Sequence, residues 1–98
     1  MEALFVYGTL QDPKVQSAVF GRVVQGTQDT LVGYRKSQIT IDGVVHAIAI
    51  TDAAQALPGQ VIEVSSEELV EIDRYEGEDY QRIQVRLRSG RQAWVYCE

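Results

Sequence analysis

Asp73 and Glu76 stand three residues apart near the end of a segment that reads as a helix, so their side chains share one face. Glu76 falls where that helix terminates, at the negative end of its dipole, with Asp73 a turn behind it. Both influences oppose a further negative charge and are expected to raise the Glu76 pKa. A carboxyl group moved toward neutrality can take up a proton and return it near neutral pH, which is general acid–base chemistry. Two solvated acids on a helix end would leave the same letters, so the pair alone assigns no function.

A second place for chemistry is "LFVYGTLQDP", Leu4 to Pro13. Apolar and aromatic residues from Ala3 to Tyr7 suit a buried strand. Asp12-Pro13 reads as an N-cap followed by a proline at the first helical position. The short loop between them holds Gly8, the residue type that lets backbone approach a ligand closely. Strand, glycine loop and helix start together set free N–H groups at one spot, as backbones that hold anions do. An ordinary strand-to-helix turn reads the same way.

The other reactive residue types point away from nucleophilic or metal chemistry. His46 is the single histidine. With a two-residue turn at Asp42-Gly43 it shares a sheet face with Ile39, Ile41 and Ile48, and is expected to pack there. Cys97 is the penultimate residue, too near a fraying end for a dependable nucleophile. No serine sits in a nucleophile-elbow pattern and no His/Cys/Asp cluster has metal-ligand spacing, so neither metal nor cofactor is expected. Arg82, Arg86, Arg88 and Arg91, near Trp94 and Tyr96, suggest a nucleic-acid surface or the solvated face of a hairpin. The net charge of −5 favours the hairpin and argues against nucleic acid or an anionic membrane as partner.

These residues must be carried by a small scaffold. Ninety-eight residues make one domain, 1–98, and 45% hydrophobic with 23% charged residues is enough to bury a core without cross-links. One cysteine excludes an internal disulfide. No basic leader and no apolar run of membrane-spanning length are visible, so the expected location is the cytoplasm. Val15, Ala18 and Val19 share a helical face, with Gly21 as the stop. Leu31–Ile41 and Val44–Ile50 are rich in β-branched residues and meet at Asp42-Gly43, a hairpin signal. Pro58-Gly59 is expected to turn the chain into a further strand, Val61–Val64. Ser65 with Glu68 forms a capping box, and Leu69, Ile72 and Tyr75 give the following helix an apolar stripe that ends near Gly77. Tyr80 to Arg88 alternates, with Ile83, Val85 and Leu87 on one face, and Ser89-Gly90 turns it back into Ala93–Cys97. The expected class is α+β, a curved or closed sheet with helices packed outside.

Three stretches, "LFVYGTL" at Leu4–Leu10, "GQVIEVSSEELVEIDRYEG" at Gly59–Gly77 and "DYQRIQV" at Asp79–Val85, resemble the gamma-glutamylcyclotransferase-like superfamily, also called avirulence-induced-gene-like. That family's pattern is an opening FVYGTL or FVYGSL, then G-x-V-(Y/I)-x-V before a helix, then LDxxE and Y-x-R, and order and spacing agree. The resemblance implies a small mixed β-barrel flanked by short helices. It also implies release of a γ-glutamyl group as 5-oxoproline: the substrate's α-amine attacks its own γ-carbonyl, closes a five-membered ring and expels an amine or amino acid. No enzyme nucleophile is needed. Positioning, a base for the α-ammonium and donors for the oxyanion are.

Carried over by position, the resemblance implies Glu76 as the base, removing the α-amine proton and later passing one to the leaving nitrogen. It implies Tyr7, Gly8, Thr9 and Leu10 as the loop that holds the glutamyl moiety or its oxyanion, and Tyr80 as a substrate-orienting residue; Asp73 and Arg82 are assigned no more than a supporting role. The implied partner is a small γ-glutamyl amine or γ-glutamyl amino acid. Many relatives carry a Tyr-Pro pair in the middle strand where this chain has Val45-His46. A module of the same fold that binds a small amino acid or acylated amine without turnover, and an adaptor using the barrel surface, are the other readings. The letters name neither the leaving group nor the oligomeric state.

Overall fold

The computed structural model describes residues 1–97. Its elements are β1 (Glu2–Val6), a 3-10 turn (Thr9–Gln11), α1 (Pro13–Phe20), β2 (Thr27–Ile41), β3 (Val44–Val64), α2 (Ser66–Glu76), β4 (Gln81–Arg86) and β5 (Gln92–Cys97). The five strands form one sheet in the order β2-β3-β1-β5-β4. It is mixed: β1 lies parallel to β5 with Leu4 opposite Trp94, and the neighbouring pairs β2–β3, β3–β1 and β5–β4 are antiparallel. A further parallel contact, Ala49 opposite Cys97, brings the middle of β3 back onto β5. The sheet therefore curls into a half-barrel with two helices, in agreement with the expected architecture.

Both faces of β1 are buried, because successive strand side chains point to opposite sides and each side has a cover. Phe5 joins Leu31, Leu57, Val61 and Val95 inside the curl. Leu4 and Val6 join Ile62, Val64, Leu69 and Ile72 beneath the helices. At one end the curl is drawn together across its edges, where the Arg88 N–H donates to the Thr30 carbonyl at 2.8 Å and the Ser89 hydroxyl donates to Asp29.

Local chemistry explains most boundaries. Asp42 (φ 49°) and Gly43 (φ 80°) make the positive-φ turn that the twist of a tight hairpin needs. Asp12 caps α1 by accepting from the Lys14 N–H at 2.9 Å, and Gly21 ends it in the left-handed region. The Ser65–Glu68 capping box is formed in both directions.

Three expectations are corrected. Pro58-Gly59 is no turn: β3 runs unbroken through it, with Pro58 opposite Thr30 and Gly59 opposite Asp29. The proline needs no ladder acceptor, since the Thr30 carbonyl is taken by Arg88, and a Cβ on Gly59 would stand 2.5 Å from the Val6 carbonyl oxygen. On α1, Ala18 is exposed and Gln16 is buried; its amide donates to the Leu10 carbonyl and accepts from the Val24 N–H, both at 2.8 Å. On α2, Leu69 and Ile72 are buried but Tyr75 is 45% exposed, because the sheet ends beneath the last turn and the ring swings over an opening. Among the described residues no helix is long and apolar enough to cross a membrane.

Candidate active site

That opening is a cleft of about 260 Å3 at the end of the half-barrel. Five pieces of chain meet there. β1 delivers Tyr7 and the Gly8–Leu10 turn, α2 ends in Tyr75 and Glu76, the β2–β3 arm brings Ile41, His46 and Ala47, the segment before β4 supplies Asp79 and Tyr80, and β5 supplies Tyr96. The structure thus gathers every residue expected at the site: Tyr7, Gly8, Thr9, Leu10, Glu76 and Tyr80 all line this cleft. The first N–H groups of a helical turn find no acceptor within it, so the backbone of the turn beginning at Thr9 is available to a ligand. Gly8 has φ −129°, which demands no left-handed residue, and a Cβ there would touch the Cβ of Ala47 at 3.4 Å. Its use is closeness to the opposite wall.

Glu76 is half-buried, and among the described residues no hydrogen bond or ion pair engages its carboxylate. Burial pushes its carboxyl up to about 7. The cause differs from the expected one. Asp73, a turn behind, is engaged by other partners, accepting from Arg82 Nε at 2.8 Å, from Arg82 Nη2 at 3.1 Å and from the Tyr96 hydroxyl at 2.6 Å. Burial works against ionisation of Asp73, but Arg82 and Tyr96 outweigh it and hold the carboxyl below its usual range. Arg82 also stacks on Trp94, 4.2 Å from the ring centroid, whose indole N–H donates to Glu2 at 2.9 Å. Arg82 therefore belongs to a structural network and not to the solvated face of the hairpin.

The phenols around Glu76 are committed within the protein. Tyr7 donates to the Tyr96 carbonyl and accepts from the Ala49 N–H at 3.0 Å, and Tyr80 donates to the Ala47 carbonyl. Burial raises all three phenols, Tyr80 to about 12, and the charge of Glu76 adds to each. They stay protonated near neutral pH, and among these four groups Glu76 is the one raised to a value near neutrality. At the rim the Thr9 and Tyr75 hydroxyls meet at 3.0 Å. No three metal-ligating side chains converge anywhere among the described residues.

His46 and Tyr96 are among the cleft residues that escaped the sequence reading. His46 is opposite Ile39 as the hairpin register requires, yet it is half-buried on the cleft wall instead of packed in a core, since the arm projects past the curl. Tyr96 was read only as a neighbour of the arginines. Its alternation with Val95 places it on the helix side of β5, which the period-two pattern could have signalled.

Comparison with known proteins follows from this geometry. AIG2-like protein A of Arabidopsis thaliana is 30% identical over 85 residues, covering 86% of this chain and 50% of the relative. The chain spans about half the length of the plant relatives it matches. A second Arabidopsis thaliana protein, known from its solution structure, superposes with a TM-score of 0.81 at 25% identity, over 98% of this chain and 67% of that one. A gamma-glutamyl cyclotransferase superposes with a TM-score of 0.77 at 14% identity, over 98% of this chain and 65% of that one, a likeness of fold. The family model described as gamma-glutamyl cyclotransferase, AIG2-like, matches residues 4–98, and across that span the chain belongs to this family.

Proposed function

We propose that this protein is a cyclotransferase-type enzyme that releases 5-oxoproline from a small γ-glutamyl amine or γ-glutamyl amino acid in the cytoplasm. The observation that carries the reading is the Glu76 carboxyl, unpartnered, raised to about 7 and facing the same cleft as the Gly8–Leu10 backbone. Glu76 accepts a proton from the substrate's α-ammonium, so that the freed amine attacks the γ-carbonyl carbon. The N–C bond closes a five-membered ring, and the negative charge on the former carbonyl oxygen is met by N–H groups of the Gly8–Leu10 turn. When the tetrahedral centre collapses, the bond to the leaving nitrogen breaks, Glu76 returns its proton to that nitrogen, and the ring nitrogen gives up its second proton to solvent to leave the neutral lactam N–H. Holding amine and carbonyl together in a narrow cleft replaces the work of a nucleophile. Tyr7, Tyr80 and Tyr96, each locked by a bond within the protein, keep the wall rigid around the folded glutamyl group.

The test is 5-oxoproline release from a panel of γ-glutamyl amines and amino acids, with wild type and Glu76→Gln in parallel. Turnover of at least one substrate that depends on Glu76 is expected. Binding of γ-glutamyl compounds with no turnover by the wild type would leave a non-catalytic binding module as the reading.

A further inference from the structure

Resting on that reading, a count of hydrogen-bond donors in the cleft says more about the leaving group. Among the described residues no lysine or arginine lines the cleft. Its phenols are spent: Tyr7 on the Tyr96 carbonyl, Tyr80 on the Ala47 carbonyl and Tyr96 on Asp73. Thr9 and Tyr75 close on each other at the exposed rim. That one bond leaves a hydroxyl proton of the pair to solvent, and among the described residues His46 is the one half-buried side-chain donor of the cleft that no protein group engages. An imidazole carries at least one N–H in either protonation state, and a half-buried polar group that the protein leaves unpaired is ready for a ligand.

Its position decides which part of the ligand it meets. With the glutamyl group at the Gly8–Leu10 turn and Glu76, the lining left for the leaving group includes Ile41, His46, Ala47, Gly77 and Asp79. Ile41 offers apolar contact. Asp79 is exposed, so water screens its charge. His46 offers the one half-buried side-chain donor that the protein leaves uncommitted among the described residues. We propose that His46 is a specificity-determining residue, whose imidazole N–H donates to a carboxylate on the leaving group and so favours γ-glutamyl amino acids over the corresponding simple amines.

The experiment uses two compounds that cannot cyclise because they lack the α-amine: N-glutaryl-alanine and N-glutaryl-ethylamine, which differ only in the leaving-side carboxylate. Their affinities are measured by calorimetry for wild type, His46→Phe and His46→Gln, with thermal unfolding as a check on folding. Wild type is expected to prefer N-glutaryl-alanine by about tenfold, the usual scale for a hydrogen bond to a charged group. His46→Phe loses that preference, and His46→Gln, which keeps an N–H donor, retains most of it. In turnover the same substitutions shift KM for γ-glutamyl-alanine and leave kcat nearly unchanged. An equal preference in wild type and His46→Phe overturns the inference, while the proposed activity stands on its Glu76-dependent 5-oxoproline release. Failure of wild type to bind either compound overturns this inference, and absence of 5-oxoproline release separately removes the proposed activity.

Discussion

The last turns of α2 carry two carboxylates in opposite surroundings. On one side Asp73 is gripped by Arg82 and Tyr96 and tied through Trp94 to Glu2, far away in the chain. On the other, Glu76 is enclosed by phenol rings whose hydroxyls point to other acceptors. Glu76 is the more deeply withdrawn from water and Asp73 stays partly exposed; one is pushed toward neutrality and the other is held ionised. The difference lies in partners and in the depth of burial together. A desolvated carboxylate with a guanidinium beside it becomes a structural anion, and one without a partner becomes a proton exchanger. Spacing on the helix predicts neither role.

The largest effect should come from removing the exchanger. Glu76→Gln keeps the size and one acceptor oxygen but cannot shuttle a proton, so 5-oxoproline release should fall by about 10²- to 10⁴-fold with binding of a non-cyclisable analogue largely kept. In wild type the rate should rise with pH through about 7, as the base loses its proton. A Glu76→Gln protein that turns over like wild type would remove Glu76 from the mechanism.

Stability should respond in the reverse sense. The Glu76 carboxyl titrates near 7 when folded and near 4.5 when unfolded. Between those values the folded state holds a proton the unfolded state has lost, so folding is penalised increasingly as pH rises, and the penalty levels off above 7. Glu76→Gln should therefore be the more stable protein at pH 8, by about 1–3 kcal/mol. That advantage should vanish as pH falls toward 4.5. Chemical denaturation at several pH values measures it, and a pH-independent difference would mean that the carboxylate is not desolvated.

A smaller effect is expected at the cleft wall. Gly8→Val should weaken binding of a γ-glutamyl analogue by about tenfold while costing little stability, because its branches would enter the space between the turn and Ala47. Comparing thermal unfolding with and without the analogue separates the two. Loss of folding with retained binding would make Gly8 only a turn residue.

The smallest change should come from the partnered side, and it sharpens the contrast most. Asp73→Asn leaves the Arg82 guanidinium without its counter-ion and should cost about 1 kcal/mol at neutral pH, solvent screening having reduced the worth of this partly exposed pair. Because the folded pKa of Asp73 is depressed, its contribution is complete above the ordinary aspartate range and is lost as pH falls through the folded value. The pH–rate profile should stay where it is, near 7. A downward move of that profile would show that Asp73 does help to raise Glu76, as helix spacing alone suggests.

Much of the scaffold was written in short-range chemistry. Asp42-Gly43, the Asp12-Pro13 start of α1, the Ser65–Glu68 box and the alternation of β4 are visible as letters, because turns, caps and strand faces depend on neighbours a few residues apart. The same letters single out the Gly8 turn and Glu76 as candidates. What they leave open depends on residues distant in the chain. Whether Pro58-Gly59 turns or runs on is decided by Arg88, which takes the carbonyl opposite the proline, and by the close approach of β1 to Gly59. Whether Tyr75 enters a core is decided by where the sheet stops beneath α2. His46 lies on the sheet face that the turn predicts, but only the projection of the hairpin arm makes that face a cleft wall. Burial and pairing are long-range quantities, and for Asp73 and Glu76 they alone separate structure from chemistry.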